Sequence, residues 1–145
     1  MGSIPIARSK PSSPAPPFLS LDFVYMPSAD VAADIGYFRD VLGAEIVFAI
    51  EAMGARVAMV ALAEAAPRIL LADHLSGERP ILVYRVADLR ATLSELESRG
   101  WERGETLEIP TGPCCSFTTP GGHRIAVYEA TRPEVARHFE GRQDF

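Results

Sequence analysis

Only a few side chains in this sequence could carry chemistry, and each has an ordinary structural explanation to set against that role. The three histidines are His74, His123 and His138. Their spacings match no known metal-ligand signature, and each reads as a surface or loop residue. Asp73, His74 and His123 could make a metal site only if the fold brought their loops together. Cys114 and Cys115 are adjacent, so a bond between them would close a strained ring. A nucleophilic cysteine needs an activating base or a positive environment. These two read instead as small residues on a strand, one facing each way. More suggestive is Arg85, an arginine inside an otherwise apolar strand, which together with Arg124 could fix a carboxylate by paired hydrogen bonds. A guanidinium in such a strand requires a partner. That partner is either a bound carboxylate or an acid of the same chain, for which Glu51 and Asp73 are candidates. No phosphate-binding loop, dinucleotide fingerprint or nucleophile elbow occurs.

The elements that would position these groups come in two similar sets. Leu19, Leu21, Phe23 and Tyr25 alternate with other residues as in a strand that Pro27 ends. A helix capped by Ser28 or Asp30 follows, with Val31, Ile35, Phe38 and Leu42 as its buried stripe and Gly43 closing it. The runs "EIVFAIE", "ARVAMVAL" and "RILLAD" then read as three strands, with Gly54 and Pro67 in the breaks. The pattern restarts at Ile81 in "PILVYRV". Asp88 caps a second helix with Leu89, Leu93 and Leu96 buried, and Gly100 closes it. Strands are expected over about 102–108, 114–119 and 124–129, the last two joined by a tight "TPGGH" turn. The halves correspond at an offset of about 58 residues, with Asp30 opposite Asp88. The expected fold is α+β, two βαβββ modules forming one cupped mixed sheet, over about 19–74 and 80–129 of a domain spanning 18–130.

Residues 1–17 are rich in proline and serine and predict a disordered tail. "MGSIPIARS" resembles the translated end of a transfer-RNA gene, which suggests a start codon placed too early. Residues 131–145 predict a short helix, with Pro133 in its first turn, and a tail. The 145 residues suit one domain with a sizeable core. The net charge of −5 argues against a broad nucleic-acid or anionic-membrane surface. No apolar run approaches the ~20 residues of a membrane span. With no disulfide framework, a reducing compartment and hence the cytoplasm is expected.

Three segments carry a family likeness. They are "YFRDVLGAEIV" through the end of the first helix, "VADLRATLSELESRG" through the second, and "TPGGHRIAVYE" at the last strand. In this order, on a duplicated βαβββ unit, they resemble the vicinal oxygen chelate superfamily. That group includes glyoxalase I, bleomycin-resistance proteins, fosfomycin-resistance transferases and extradiol dioxygenases. The resemblance covers about Leu19 to Glu129. It implies a small-molecule cleft on the concave face of the sheet and association as a homodimer. It also implies metal ligands at one position in each of the first, fourth, fifth and eighth strands. Here those positions hold Phe23, Leu70 or Leu71, Ile81 and Ala126. None offers a lone-pair donor, so no metal and no other cofactor is expected.

Alternation then predicts the lining of the cleft. If Phe23, Ile81 and Ala126 face it, so do Leu21, Tyr25, Val83, Arg85, Arg124 and Tyr128. Apart from Leu21, these are the expected ligand-binding residues. The surface suits an apolar or aromatic molecule with an anionic or carbonyl group. The expected function is metal-independent binding of such a molecule, as in bleomycin-resistance proteins. The alternative is an enzyme of the same superfamily, isomerase- or lyase-like. It would have absent or relocated metal ligands and would use Tyr25, Tyr128 or Arg85 as proton donor or oxyanion stabiliser.

Overall fold

A computed structural model of the chain describes residues 17–145. The expected N-terminal tail lies, but for its last residue, outside the described residues. Strand β1 (Ser20–Pro27) leads into helix α1 (Val31–Asp40). Strands β2 (Glu45–Ala52), β3 (Ala55–Ala61) and β4 (Arg68–Ala72) complete the first module. The second repeats it as β5 (Ile81–Val86), α2 (Leu89–Ser98), β6 (Glu105–Ile109), β7 (Gly112–Thr118) and β8 (Arg124–Glu129). A 3-10 helix over Pro133–His138 follows, where the short C-terminal helix was expected.

The local signals work as the sequence predicts. Asp30 caps α1 by accepting from the Ala33 amide at 3.0 Å, and Asp88 caps α2 by accepting from Ala91 at 3.0 Å. Each such cap stabilises its helix by about 1 kcal/mol. Gly43 and Gly100 close the helices with φ of 77° and 95°. Leu42 departs from the expected stripe. Helix α1 ends at Asp40, so Leu42 lies past the helical period and is exposed, while Val31 and Ile35 are buried and Phe38 packs beside them. Strand β6 starts at Glu105, later than expected, and β7 starts earlier, at Gly112.

All eight strands form one sheet in the order β2-β3-β4-β1-β5-β8-β7-β6. Within each module the first and last strands run parallel, β1 with β4 and β5 with β8. The modules join edge to edge through the antiparallel pair β1–β5. Both helices lie on one face. Helix α1 covers Ala49, Ala58, Val60 and Leu71, and α2 covers Val86, Cys115 and Val127. The opposite face, called the open face below, holds two further apolar clusters. One centres on Val47, Phe48 and Ala61, and the other on Ile81, Val83, Cys114, Ala126 and Tyr128.

The C-terminal segment does not end at its 3-10 helix. Phe139 packs on Phe48 with ring centroids 5.7 Å apart, which places it over the first module's open face. Beyond it the backbone runs along β2, with Ala49 N donating to Arg142 O at 2.7 Å and Asp144 N to Ala49 O at 2.7 Å. The exposed edge of β2 is thereby paired, which blocks edge-to-edge association at that strand. Among the described residues no helix is long and apolar enough to cross a membrane.

Candidate functional site

Strand register sorts the open face into rows of side chains. One row runs Leu70, Tyr25, Ile81, Arg124, Thr118. The next runs Arg68, Phe23, Val83, Ala126, Ser116, Glu105. A third runs Arg85, Tyr128, Cys114, Leu107. All eight residues expected to bind a ligand stand in these rows. Of them, Ile81, Val83, Ala126 and Tyr128 are buried at 4–9% exposure and form a packed bed. Phe23, Tyr25 and Arg124 are half-buried and Arg85 is exposed.

The face differs from strict alternation at one point. Between Leu21 and Phe23 the β1–β5 register shifts by one residue. Leu21 therefore pairs with Tyr84, which packs in the α2 cluster, and not with an open-face residue. The expectation that Leu21 lines the cleft is overturned. The extra residue is Asp22. A bulge of this kind re-aims a side chain within a strand, and here the Asp22 carboxylate reaches the open-face row.

Asp22 answers the question of what Arg85 pairs with. Asp22 Oδ2 lies 3.4 Å from Arg85 Nε and accepts a 2.6 Å hydrogen bond from the Tyr128 hydroxyl. Arg85 also reaches Ser20 Oγ at 3.5 Å. The two acids proposed from sequence are engaged elsewhere. Glu51 faces Arg56 at 3.6 Å, and Asp73 accepts from the Arg56 amide. The Arg85 side chain is 45% exposed, so solvent screens its ion pair to roughly 1 kcal/mol or less. Burial first, then the hydrogen bond and charge of Asp22, hold the Tyr128 phenol far above its ordinary pKa. Arg85 opposes that shift only in part.

Arg124 has a different role from the carboxylate clamp expected of it. Its Nη1 donates to the carbonyls of Ser76 at 2.9 Å and Arg79 at 2.8 Å, which pins the connection between the two modules. It also borders a cavity of about 230 Å³ lined by Ile81, Glu105, Ser116, Phe117, Thr118 and Ile125. A second cavity, of about 360 Å³, lies past the end of β1 between Pro27, Ser28, Asp73, Leu75 and Glu78. Tyr25 meets His74, with the phenol oxygen 3.2 Å from the imidazole Nε2. Burial raises the Tyr25 pKa, so its hydroxyl keeps its proton throughout the neutral range.

The sequence reading missed Asp22, Arg68, Glu105, Ser116 and Thr118. For Ser116 and Thr118 the signal was present, because alternation from Cys114 puts both on the same face. Cys114 and Cys115 do face opposite ways, into the open-face and α2 clusters respectively. Burial pushes the Cys114 thiol up to about 11, the reverse of what a nucleophile needs.

The four metal-ligand positions of the resemblance are now resolved. Leu70, not Leu71, is the open-face residue of β4, since Leu71 packs under α1. Phe23, Leu70, Ile81 and Ala126 provide no donor atoms, so these residues do not fit a divalent ion. Nor do Asp73, His74 and His123 assemble into one: among the described residues no group of three or more His, Cys, Asp or Glu side chains is placed to hold a metal.

An eight-stranded mixed sheet of two edge-joined βαβββ modules, with helices on one face, is the vicinal oxygen chelate fold. Solved structures agree. The methylmalonyl-CoA epimerase from Mycobacterium tuberculosis is 23% identical, covering 87% of this chain and 97% of its own, with a TM-score of 0.69. The Streptomyces coelicolor methylmalonyl-CoA epimerase in complex with 2-nitronate-propionyl-CoA is 15% identical, covering 79% and 96%, with a TM-score of 0.63. A hypothetical protein from Bacillus halodurans is 13% identical, covering 76% and 93%, also at 0.63. At these identities the likeness establishes the fold. No family model matches the sequence. No curated protein matches it either.

Proposed function

We propose that this protein binds a small organic molecule on its open face without a metal, and that the molecule has an apolar or aromatic body and an anionic group. One observation carries the reading. A bed of buried apolar side chains, which includes Ile81 and Ala126 at two of the four positions where the resemblance implies metal ligands, is bordered by a few fixed polar groups, namely Asp22–Arg85 with the Tyr128 hydroxyl on one side and Tyr25–His74 on the other. The half-buried ring of Phe23 lies between them, 6.0 Å from the Tyr128 ring. Such a combination supplies burial for the ligand body and direction for its polar end. The test is NMR titration with a panel of aromatic carboxylates. Shifts confined to β1, β5 and β8 resonances are the expected result. Shifts mapping to the helix face, or none at millimolar ligand, would end the reading.

A second reading rests on the Tyr25–His74 contact. A phenol hydrogen-bonded to a neutral imidazole can hand its own proton to the imidazole as it takes one from a carbon acid beside it, and return one by the reverse transfer, which suits an isomerase-like activity. Epimerases of this fold are solved with methylmalonyl-CoA bound, so thioesters of 2-substituted acids are suitable trial substrates. Deuterium appearing at their C2 position in heavy water, and not with Tyr25→Phe, would favour this reading over simple binding.

The same proposal includes a homodimer, as the resemblance implies, and a reducing compartment such as the cytoplasm, as the two adjacent cysteines suggest. Tyr37, Val41 and Leu42 leave apolar surface exposed at the end of α1. Sedimentation equilibrium should return twice the 15.7 kDa chain mass. A mass of one chain at tens of micromolar removes the dimer.

A further inference from the structure

Three arginines stand on the open face, and two are already committed. Arg85 faces Asp22, and Arg124 holds the Ser76 and Arg79 carbonyls. Arg68 makes no hydrogen bond or ion pair with any described residue, yet it is half-buried. Its position follows from its strand. Ile69 and Leu71 of β4 pack under α1, and Leu70 packs on the opposite side. Arg68 therefore shares the open face with Leu70. Its Cα is the register partner of Phe23.

Electrostatics separates the three. The charge of Arg85 is largely cancelled by Asp22, and the Asp22 carboxylate is further held by the Tyr128 hydroxyl. Arg124 keeps its charge, but two carbonyl oxygens occupy its Nη1 and fix its direction. Among the described residues, Arg68 has an uncancelled charge, all of its donors free and Phe23 as its register neighbour, whereas the guanidinium of Arg124 is anchored through Nη1. A partly desolvated guanidinium with no partner gains from any anion that reaches it. The Phe23 ring beside it offers a surface on which a planar ring can stack.

We infer that Arg68, and not Arg85, is the anion-binding group of the open face, and that its ligand class is a planar aromatic molecule bearing a single carboxylate or sulfonate. The inference rests on the proposed function, since it assumes that the open face binds a ligand at all. Two naphthylamine dyes separate the two claims. One is 8-anilinonaphthalene-1-sulfonate, and the other is N-phenyl-1-naphthylamine, which has the same rings without the sulfonate. Fluorescence titration of the full chain should show the sulfonate binding about tenfold more tightly than the neutral dye. Arg68→Met should bring that ratio close to one, whereas Arg90→Met, which removes an exposed charge from α2 on the opposite face, should leave it within about twofold of wild type. Phe23→Ala should weaken both dyes together. A ratio unchanged in Arg68→Met, or lost in Arg85→Met alone, overturns the assignment to Arg68 and leaves the binding face standing. If neither dye binds the wild type, or if Phe23→Ala weakens neither, the binding face and the assignment fail together.

Discussion

Replacing Gly112 with alanine is expected to cost about 3 kcal/mol and to lower the melting temperature by about 10 °C. Gly112 opens β7 opposite Ile109. A methyl group there would overlap the backbone carbonyl oxygen of Glu129 and stand 3.0 Å from both N and Oγ1 of Thr131. None of these atoms can yield cheaply. Glu129 ends β8, and its carboxylate accepts from the Leu89 amide at 2.8 Å, at the start of α2. Arg132 then ties the next turn of chain to the β6–β7 hairpin. Its amide donates to Thr111 O at 2.8 Å and its guanidinium to the carbonyls of Pro110 and Ile109. A strand end, a helix start and a hairpin therefore share one fixed corner, and the C-terminal segment departs from it. Gly36→Ala is the matched control. Gly36 lies within α1, where an added Cβ meets nothing within 4 Å, so that change should be neutral or stabilising by up to about 1 kcal/mol. Urea unfolding of the two variants measures the contrast. Equal midpoints would show that the Gly112 corner is not packed as described.

Stability is also expected to fall steeply above about pH 9. Burial, and then the neighbouring Cys115, push the Cys114 thiol from 9.0 up to about 11. A group that holds its proton more tightly in the folded chain contributes fully below its unfolded pKa. That contribution is lost as pH rises through the folded value. The slope across this window is about 1.4 kcal/mol per pH unit, for a total loss of roughly 3 kcal/mol by pH ~11. Tyr128 moves the same way, chiefly through burial and then through Asp22, so the decline continues at higher pH. Urea midpoints should be level from about pH 7 to 8.5 and drop beyond it. Cys114→Val keeps the packing of the open-face cluster and removes the thiol, so the first part of the drop should flatten. An unchanged slope in that variant would assign the transition to other groups.

The two halves were legible because each signal is local. Asp30 and Asp88 cap through their own first turns, and Gly43 and Gly100 adopt positive φ one residue at a time. Leu42 misled because it keeps helical spacing after the helix has stopped. Whether a side chain past the last turn stays on the stripe depends on where the chain then goes, and here it turns away into β2. Among the site residues, Ser116 and Thr118 could have been read by applying to β7 the alternation already applied to β1, β5 and β8.

By itself the sequence determined the duplicated βαβββ order, the helix caps, the opposite facing of Cys114 and Cys115, and the apolar character of Phe23, Ile81 and Ala126. These follow from residue type and from short-range periodicity, which operate within one element. Only the tertiary structure decided which open-face arginine lacks a partner among the described residues. The bulge at Asp22 shifts one side chain across the sheet and leaves no mark in residue spacing, because it depends on how β1 pairs with a strand some 60 residues away. That shift brings Asp22 to Arg85, while Arg68, the register neighbour of Phe23 and a residue with no distinguishing sequence context, has no partner among the described residues. The physical reason is that charge pairing depends on distances between strands, and those are set by sheet register.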